Sequence, residues 1–313
     1  MFQYILSILN SKNINLIILK WLLILVFMYI IFILLKNFGK SSQQEGFTQQ
    51  EPFVLKQNDD IYDDFYTQIY DEIHKPILRN DFELNNIIKM TEPTRNSVFL
   101  DIGSGTGDLV NELREAGYQA YGIDKSKAMI ELSEAKHPKN EYKCGDAMEP
   151  MSFEKNTFSH ILCTYFTIYQ MQDKKTFFRN CYHWLIPNGY FIIHLVEKTK
   201  FDTIMPIGKS NLIFNPNTIN GSRIMNTIVD FGGFEYKSSF DIKENDSKVL
   251  LTEKFQDKTT KNVRQNEQIL YMDNLDNIVN LIMSSGFSMK SKINMKKCID
   301  DENQYIYIFE RLQ

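Results

Sequence analysis

The chain has 313 residues, 35 Lys and Arg against 39 Asp and Glu, and a formal net charge of −4. That length allows one large domain or two modest ones, and a negative balance leaves no broad basic surface for nucleic-acid phosphates, so nucleic acid is not an expected partner. With 43% hydrophobic, 13% aromatic and 24% charged residues the chain can bury a core, which excludes wholesale disorder. Cys144, Cys163, Cys181 and Cys298 are scattered without a CxxC pair and no histidines cluster, so neither a zinc site nor a disulfide scaffold is indicated, and no metal is expected.

Leu16 to Leu35 is a continuous apolar run interrupted only by Lys20, long enough for a helix to cross a bilayer core. Lys20 lies near one edge, where its ammonium reaches the headgroups. The run exceeds a signal-peptide h-region and no small-residue cleavage pattern follows, so retention as a single-pass anchor is expected. Lys36, Lys40 and Lys56 follow the span against Lys12 before it, a bias toward a cytoplasmic carboxyl side. Residues 1–38 are read as the anchor and 39–57, rich in Gly, Ser and Gln, as a flexible linker. Residues 58–313 are read as the globular domain.

From Ser97 to Val196 short apolar runs alternate with helical spacing. Ser97–Ile102 reads as a strand, Leu109, Val110, Leu113 and Ala116 as one face of a helix, and Ala120–Ile123 as the next strand. Ser126 caps a helix carrying Met129, Ile130, Leu132 and Ala135. Strands near Tyr142–Cys144, Phe158–Thr164 and Tyr190–Val196 follow, with a helix through Phe177 and Trp184. Nearly continuous apolar strands alternating with helices predict an α/β fold, a Rossmann-like, mostly parallel sheet covered on both faces.

Ligands of such sheets bind beyond the carboxyl ends of the strands. Asp101-Ile102-Gly103-Ser104-Gly105-Thr106-Gly107 stands at the first of these ends, Asp124 at the second and Asp146 at the third. Alternate glycines let the backbone turn tightly and meet a ligand without an intervening Cβ, and a strand-end carboxylate accepts ribose hydroxyls. Asp108 stands where a dinucleotide fingerprint needs its third glycine, and no Gly-Lys-Ser/Thr follows. An acid at that position favours a positively charged sulfonium nucleoside over a pyrophosphate.

These residues resemble the class I S-adenosylmethionine-dependent methyltransferases, from about Ile61 to the carboxyl end. VFLDIGSGTGDLV is similar to that family's first motif, YGIDKS to its acidic second-strand end, CGDAME to its adenine-side loop and LIPNGYFIIHL to the turn before its fifth strand, with Asn188 in place of a glycine. The resemblance implies that S-adenosyl-L-methionine is the cofactor, with Asp101, Gly103, Gly105 and Gly107 at its methionine part, Asp124 at the ribose and Asp146 at the adenine. Within the class the chain is most similar to small-molecule N-methyltransferases of the amino-sugar and glycine type. Ile61–Tyr66 then stands as their amino-terminal lid helix, Lys75 or Arg79 as the partner of the cofactor carboxylate, and residues 205–271 as their antiparallel cap. A seven-stranded sheet closing on an antiparallel pair is expected.

The implied activity is methyl transfer to a small-molecule acceptor, an amine being favoured because it needs no strong general base. Candidates facing the acceptor are Tyr62, Tyr66, Tyr165, Tyr169 and His194, with none assigned a catalytic role. The alternatives are a non-catalytic cofactor-binding or membrane scaffold protein and an NAD-type Rossmann oxidoreductase. Asp108 weakens the last of these.

Overall fold

The structure, a computed structural model, describes residues 21–22, 24–29, 51–209 and 225–312. The chain divides into two units, Met1–Thr48 and Gln49–Gln313. In the first, residues 21–22 and 24–29 are helical and their apolar side chains, Trp21, Phe27 and Tyr29 among them, are exposed. Among the described residues no helix is long and apolar enough to cross a membrane. Most of the span expected from Leu16 to Leu35 lies outside those residues, as does most of the expected linker.

In the second unit the strands are β1 (Phe53–Gln57), β2 (Val98–Ile102), β3 (Gln119–Asp124), β4 (Glu141–Cys144), β5 (Phe158–Cys163), β6 (Leu185–Val196), β7 (Asn226–Asp230), β8 (Phe234–Asp241), β9 (Lys248–Asp257), β10 (Val263–Tyr271), β11 (Phe287–Asn294) and β12 (Gln304–Arg311). The helices are α1 (Asp64–His74), α2 (Ile77–Thr91), α3 (Asp108–Glu115), α4 (Lys127–Lys136), α5 (Thr167–Gln170), α6 (Lys174–Trp184), α7 (Pro206–Lys209), α8 (Leu275–Ser284) and α9 (Lys296–Ile299). The larger sheet has the order β11-β12-β6-β5-β2-β3-β4. Strands β2 to β6 pair in parallel, and β12 pairs antiparallel with both β6 and β11. This is the seven-stranded sheet with an antiparallel final pair that the resemblance implies.

The order reverses between β2 and β5, which opens a crevice beyond their carboxyl ends. The core fills both faces: Phe99, Ile161, Leu162, Phe177, Trp184 and Ile192 have no exposed surface. Capping sets the helix starts. Asp63 accepts from the Tyr66 amide at 3.2 Å at the head of α1, and the Ser126 hydroxyl accepts from the Met129 amide at 3.1 Å at the head of α4. Asn188, within β6 and in place of a glycine, takes φ 60°, a left-handed conformation that Asn reaches more readily than most residues.

Two boundaries differ from expectation. The lid helix runs over Asp64–His74, not Ile61–Tyr66, because Asp63 is its cap. The linker expected over 39–57 is too long at its carboxyl end: Phe53–Gln57 is β1, paired in parallel with β10 from Phe53 opposite Val263 to Gln57 opposite Glu267. A short extended run can supply the backbone partners of an otherwise open sheet edge, which composition does not reveal. β1 thus joins β7 to β10 in a five-stranded cap sheet of order β1-β10-β9-β8-β7. Arg264 of β10 holds the start of α1 to this sheet, donating to both carboxylate oxygens of Asp63 at 2.9 Å and to the Ile61 carbonyl at 2.9 Å.

Candidate functional site

A cleft of about 370 Å³ opens beyond the ends of β2, β3 and β4, walled by Gly103, Gly105, Asp124, Asp146, Tyr62 and Tyr70. The loop after β2 is fixed to β3 by backbone: the Gly103 and Ser104 amides donate to the Ile123 carbonyl at 2.8 and 3.1 Å. Gly105, at φ 52°, then turns its amide toward Asp124, whose Oδ2 accepts it at 2.9 Å. Asp124 Oδ1 accepts from the Ser126 amide at 2.8 Å. One carboxylate therefore holds the glycine loop and the start of α4 together, with lone pairs left for a ligand. Burial raises the pKa of Asp124, and the amides of Ser126 and Gly105 pull it back down.

Asp146 accepts from the Met148 amide at 2.8 Å, and Lys125 Nζ stands 3.4 Å from its Oδ2 and 2.6 Å from Asp59. Lys125 thus spans two carboxylates, both in the cleft wall.

Three residues expected at the ligand stand elsewhere. Gly107 does not line the cleft: at φ 84° it precedes α3, and a Cβ there would meet the Tyr142 hydroxyl at 2.5 Å and Ser133 Cβ at 2.9 Å, so its role is close packing. Asp108 is turned away, its carboxylate held by Lys136 at 2.6 Å and His137 at 3.0 Å. It therefore neither lines the pocket nor opposes a pyrophosphate. Asp101 lies behind the cleft wall, only 4% exposed, with Oδ1 buried and without a hydrogen-bond partner among the described residues. Burial, then Glu83 and Asp124, push its carboxyl well above the usual carboxylate range.

A second cavity of about 530 Å³ adjoins the first, and Tyr62, Tyr70, Thr167 and Gln170 line both. Tyr62 is fixed at this border by Gln170 and Gln268, whose Nε2 atoms each donate to its hydroxyl at 2.9 Å. Tyr66 and Tyr165 line the larger cavity as expected. Tyr169 and His194 do not. The Tyr169 hydroxyl is buried and accepts from the Val196 amide at 2.8 Å, while His194, also fully buried, is engaged by the Tyr165 carbonyl and by Gln304 Oε1 at 3.0 Å. Both serve packing, and burial pushes the His194 imidazole down to about 4.

One residue stands out that the sequence did not assign, beside one that it did. His74 lies between the hydroxyls of Tyr66 and Tyr165 in the cavity wall. Arg79, one of the two cations proposed for a carboxylate, is 7% exposed, with its guanidinium carbon 3.9 Å from the centre of the Tyr165 ring. Its Nε and Nη1 have no hydrogen-bond partner among the described residues, although Glu83 Oε1 stands 3.5 Å from Nε. A buried guanidinium that lines the cavity, with two nitrogens lacking hydrogen-bond partners among the described residues, has the donor chemistry that a ligand carboxylate requires. Among the described residues no group of three metal-ligating side chains comes together.

Residues 100–193 match the sequence profile of a methyltransferase domain. A curated relative, an uncharacterized methyltransferase of Alkaliphilus oremlandii (strain OhILAs), is 30% identical over 104 residues, or 33% of this chain and 44% of that protein. The match thus spans less than half the length of that relative. The fold is similar to that of an S-adenosylmethionine-dependent methyltransferase from Clostridium acetobutylicum ATCC 824, with a TM-score of 0.60, 16% identity, and coverage of 80% of this chain and 98% of the other. It is also similar to S-adenosylmethionine-bound CalS10, an amino pentose methyltransferase from Micromonospora echinaspora, with a TM-score of 0.50, 15% identity, and coverage of 73% and 88%.

Proposed function

We propose that this chain, which carries a methyltransferase domain on the fold of the S-adenosylmethionine-dependent methyltransferases, transfers a methyl group from S-adenosylmethionine to a small-molecule amine. The observation that carries the reading is the pair of adjoining cavities, one bearing the strand-end acids Asp124 and Asp146 and the other an aromatic wall. S-adenosylmethionine, when bound, would supply an electrophilic methyl group. Asp124 would accept from the ribose hydroxyls, Asp146 would face the adenine, and Arg79 would take the carboxylate. Tyr62, fixed on the border, walls the path between the two cavities.

In-line displacement depends chiefly on aligning nucleophile, methyl carbon and sulfur, and an aromatic-walled cavity suits that alignment. Tyrosine faces also suit an ammonium group, in keeping with the amino pentose acted on by the structurally similar CalS10. Incubation of the full chain with methyl-labelled S-adenosylmethionine and a panel of small amines and alcohols tests this. Label on an amine supports it, and transfer to hydroxyl acceptors alone, or tight cofactor binding without transfer, contradicts it.

We further propose that Leu16 to Leu35 anchors the protein with its catalytic body in the cytoplasm. The apolar run, the lysine bias and the exposed apolar side chains of residues 24–29 support this. Protease digestion of the body on sealed membranes without detergent is the expected result. A protected body glycosylated at either Asn-x-Ser sequon, Asn220-Gly221-Ser222 or Asn245-Asp246-Ser247, would overturn it.

A further inference from the structure

His74 closes the last turn of α1 and is 6% exposed. Its Nε2 lies 3.1 Å from the Tyr66 hydroxyl and its Nδ1 3.0 Å from the Tyr165 hydroxyl, and all three residues line the larger cavity. The Tyr70 ring packs against the imidazole with centroids 4.2 Å apart. A neutral imidazole has one N–H and one lone pair. One tyrosine therefore donates to His74 and keeps its own oxygen lone pairs for a proton arriving from the cavity.

We propose that the acceptor's proton leaves through the Tyr66–His74–Tyr165 chain, with His74 as its receiver. The proposal rests on the methyltransferase reading and names the base that reading leaves unassigned. An ammonium acceptor has no lone pair with which to attack. Its N–H bond breaks as the proton passes to the tyrosine oxygen, the tyrosine's own O–H bond breaks as that proton forms an N–H bond on His74, and the amine lone pair is freed. The single positive charge moves from the acceptor nitrogen to the imidazolium, and no oxidant or reductant takes part.

Burial and then Arg79 push the imidazole down to about 3 in the free protein, so the receiver starts as a poor base. The other groups around it are neutral phenols: Tyr66 and Tyr70 on α1 and Tyr165 after β5, each raised chiefly by burial. Glu253 of β9 bears on Tyr66 and Tyr165 from the cap side. Arg79 is the cation in this group. Glu83 Oε1 stands 3.5 Å from its Nε, but burial raises the pKa of that carboxyl. A ligand carboxylate seated on Nη1, unpartnered among the described residues, further reduces the repulsion between Arg79 and a proton on His74. Cofactor binding then precedes and enables deprotonation of the acceptor.

The test uses S-adenosylhomocysteine, which carries the same carboxylate and no transferable methyl group. Imidazole resonances of the histidine-labelled full chain are titrated by NMR with and without it, the His74 signal being identified by its loss in His74→Gln. Saturation should raise the His74 midpoint by about one to three pH units. Arg79→Met should raise it without ligand, and Arg79→Lys, which keeps the charge, should leave it low. Calorimetry on the same samples separates the two claims. Binding with an unmoved His74 overturns the proton route alone, whereas no binding overturns the cofactor reading and this proposal with it.

Discussion

Asp124→Asn is the most informative single substitution, because the native carboxylate does two jobs at once. Its oxygens accept from the Gly105 amide at 2.9 Å and the Ser126 amide at 2.8 Å. An Asn side chain has one accepting oxygen and one NH₂, so in either orientation one of these backbone donors faces another donor. A buried unsatisfied donor costs about 1–3 kcal/mol, which is the expected loss of stability before any ligand is added, partly offset by removal of a buried charge. Cofactor affinity falls separately, because a charge-assisted hydrogen bond contributes roughly 1.5–3 kcal/mol, or about tenfold to a hundredfold in Kd. Calorimetry with S-adenosylmethionine, at a temperature where urea titration shows both proteins folded, measures the second effect apart from the first. A Kd within threefold of the native value in the folded variant would refute the ribose role of Asp124.

Gly105→Val should weaken cofactor binding at least tenfold: the nearest atom to its Cβ is Tyr70 Cε1 at 3.9 Å, so the branched side chain has room to enter the cleft, and φ 52° adds about 1–2 kcal/mol of backbone strain. Calorimetry and melting curves check both effects. Tyr169→Phe should lower stability by about 1–3 kcal/mol by orphaning the Val196 amide, yet leave cofactor affinity intact; an affinity loss in the folded variant would return Tyr169 to the site. Burial raises the carboxyl pKa of Glu253, so the folded state holds its proton at pH values where the unfolded state, near 4.5, has lost it. Stability from this group therefore falls as pH rises through that window. Glu253→Gln removes the charge while its amide oxygen still accepts from Tyr236. Its melting temperature relative to the native chain should be more favourable at pH 8 than at pH 4.5, and a gap that widens toward acid would contradict the assignment.

The strand-loop-helix at Asp101–Glu115, the Ser126 cap and the left-handed Asn188 were legible because each depends on residues within one or two turns of chain. Asp124 and Asp146 were legible as strand ends, whose position follows from the alternation itself. Asp108 misled because its partners, Lys136 and His137, stand 28 and 29 residues away at the end of α4, and local spacing carries no record of that pairing. His194 and Tyr169 were misplaced for a related reason: the sequence marks a polar group beside the site but not whether a backbone carbonyl or amide inside the core has already engaged it. The role of His74 emerges only when α1 is packed against the segment after β5, bringing Tyr165 within 3.0 Å across 91 residues. A lone histidine ending an amphipathic helix gives no such signal, although its place four residues after Tyr70 on one helix face is visible.

The central claim is that the cleft beyond β2 and β3 takes S-adenosylmethionine. Isothermal calorimetry of the full chain, in the presence of a chelator, compares S-adenosylmethionine, S-adenosylhomocysteine and NAD under one set of conditions. The account predicts saturable one-to-one binding of the first two without metal, lost in Gly105→Val, and no measurable binding of NAD. Tighter binding of NAD than of either adenosyl compound would contradict it.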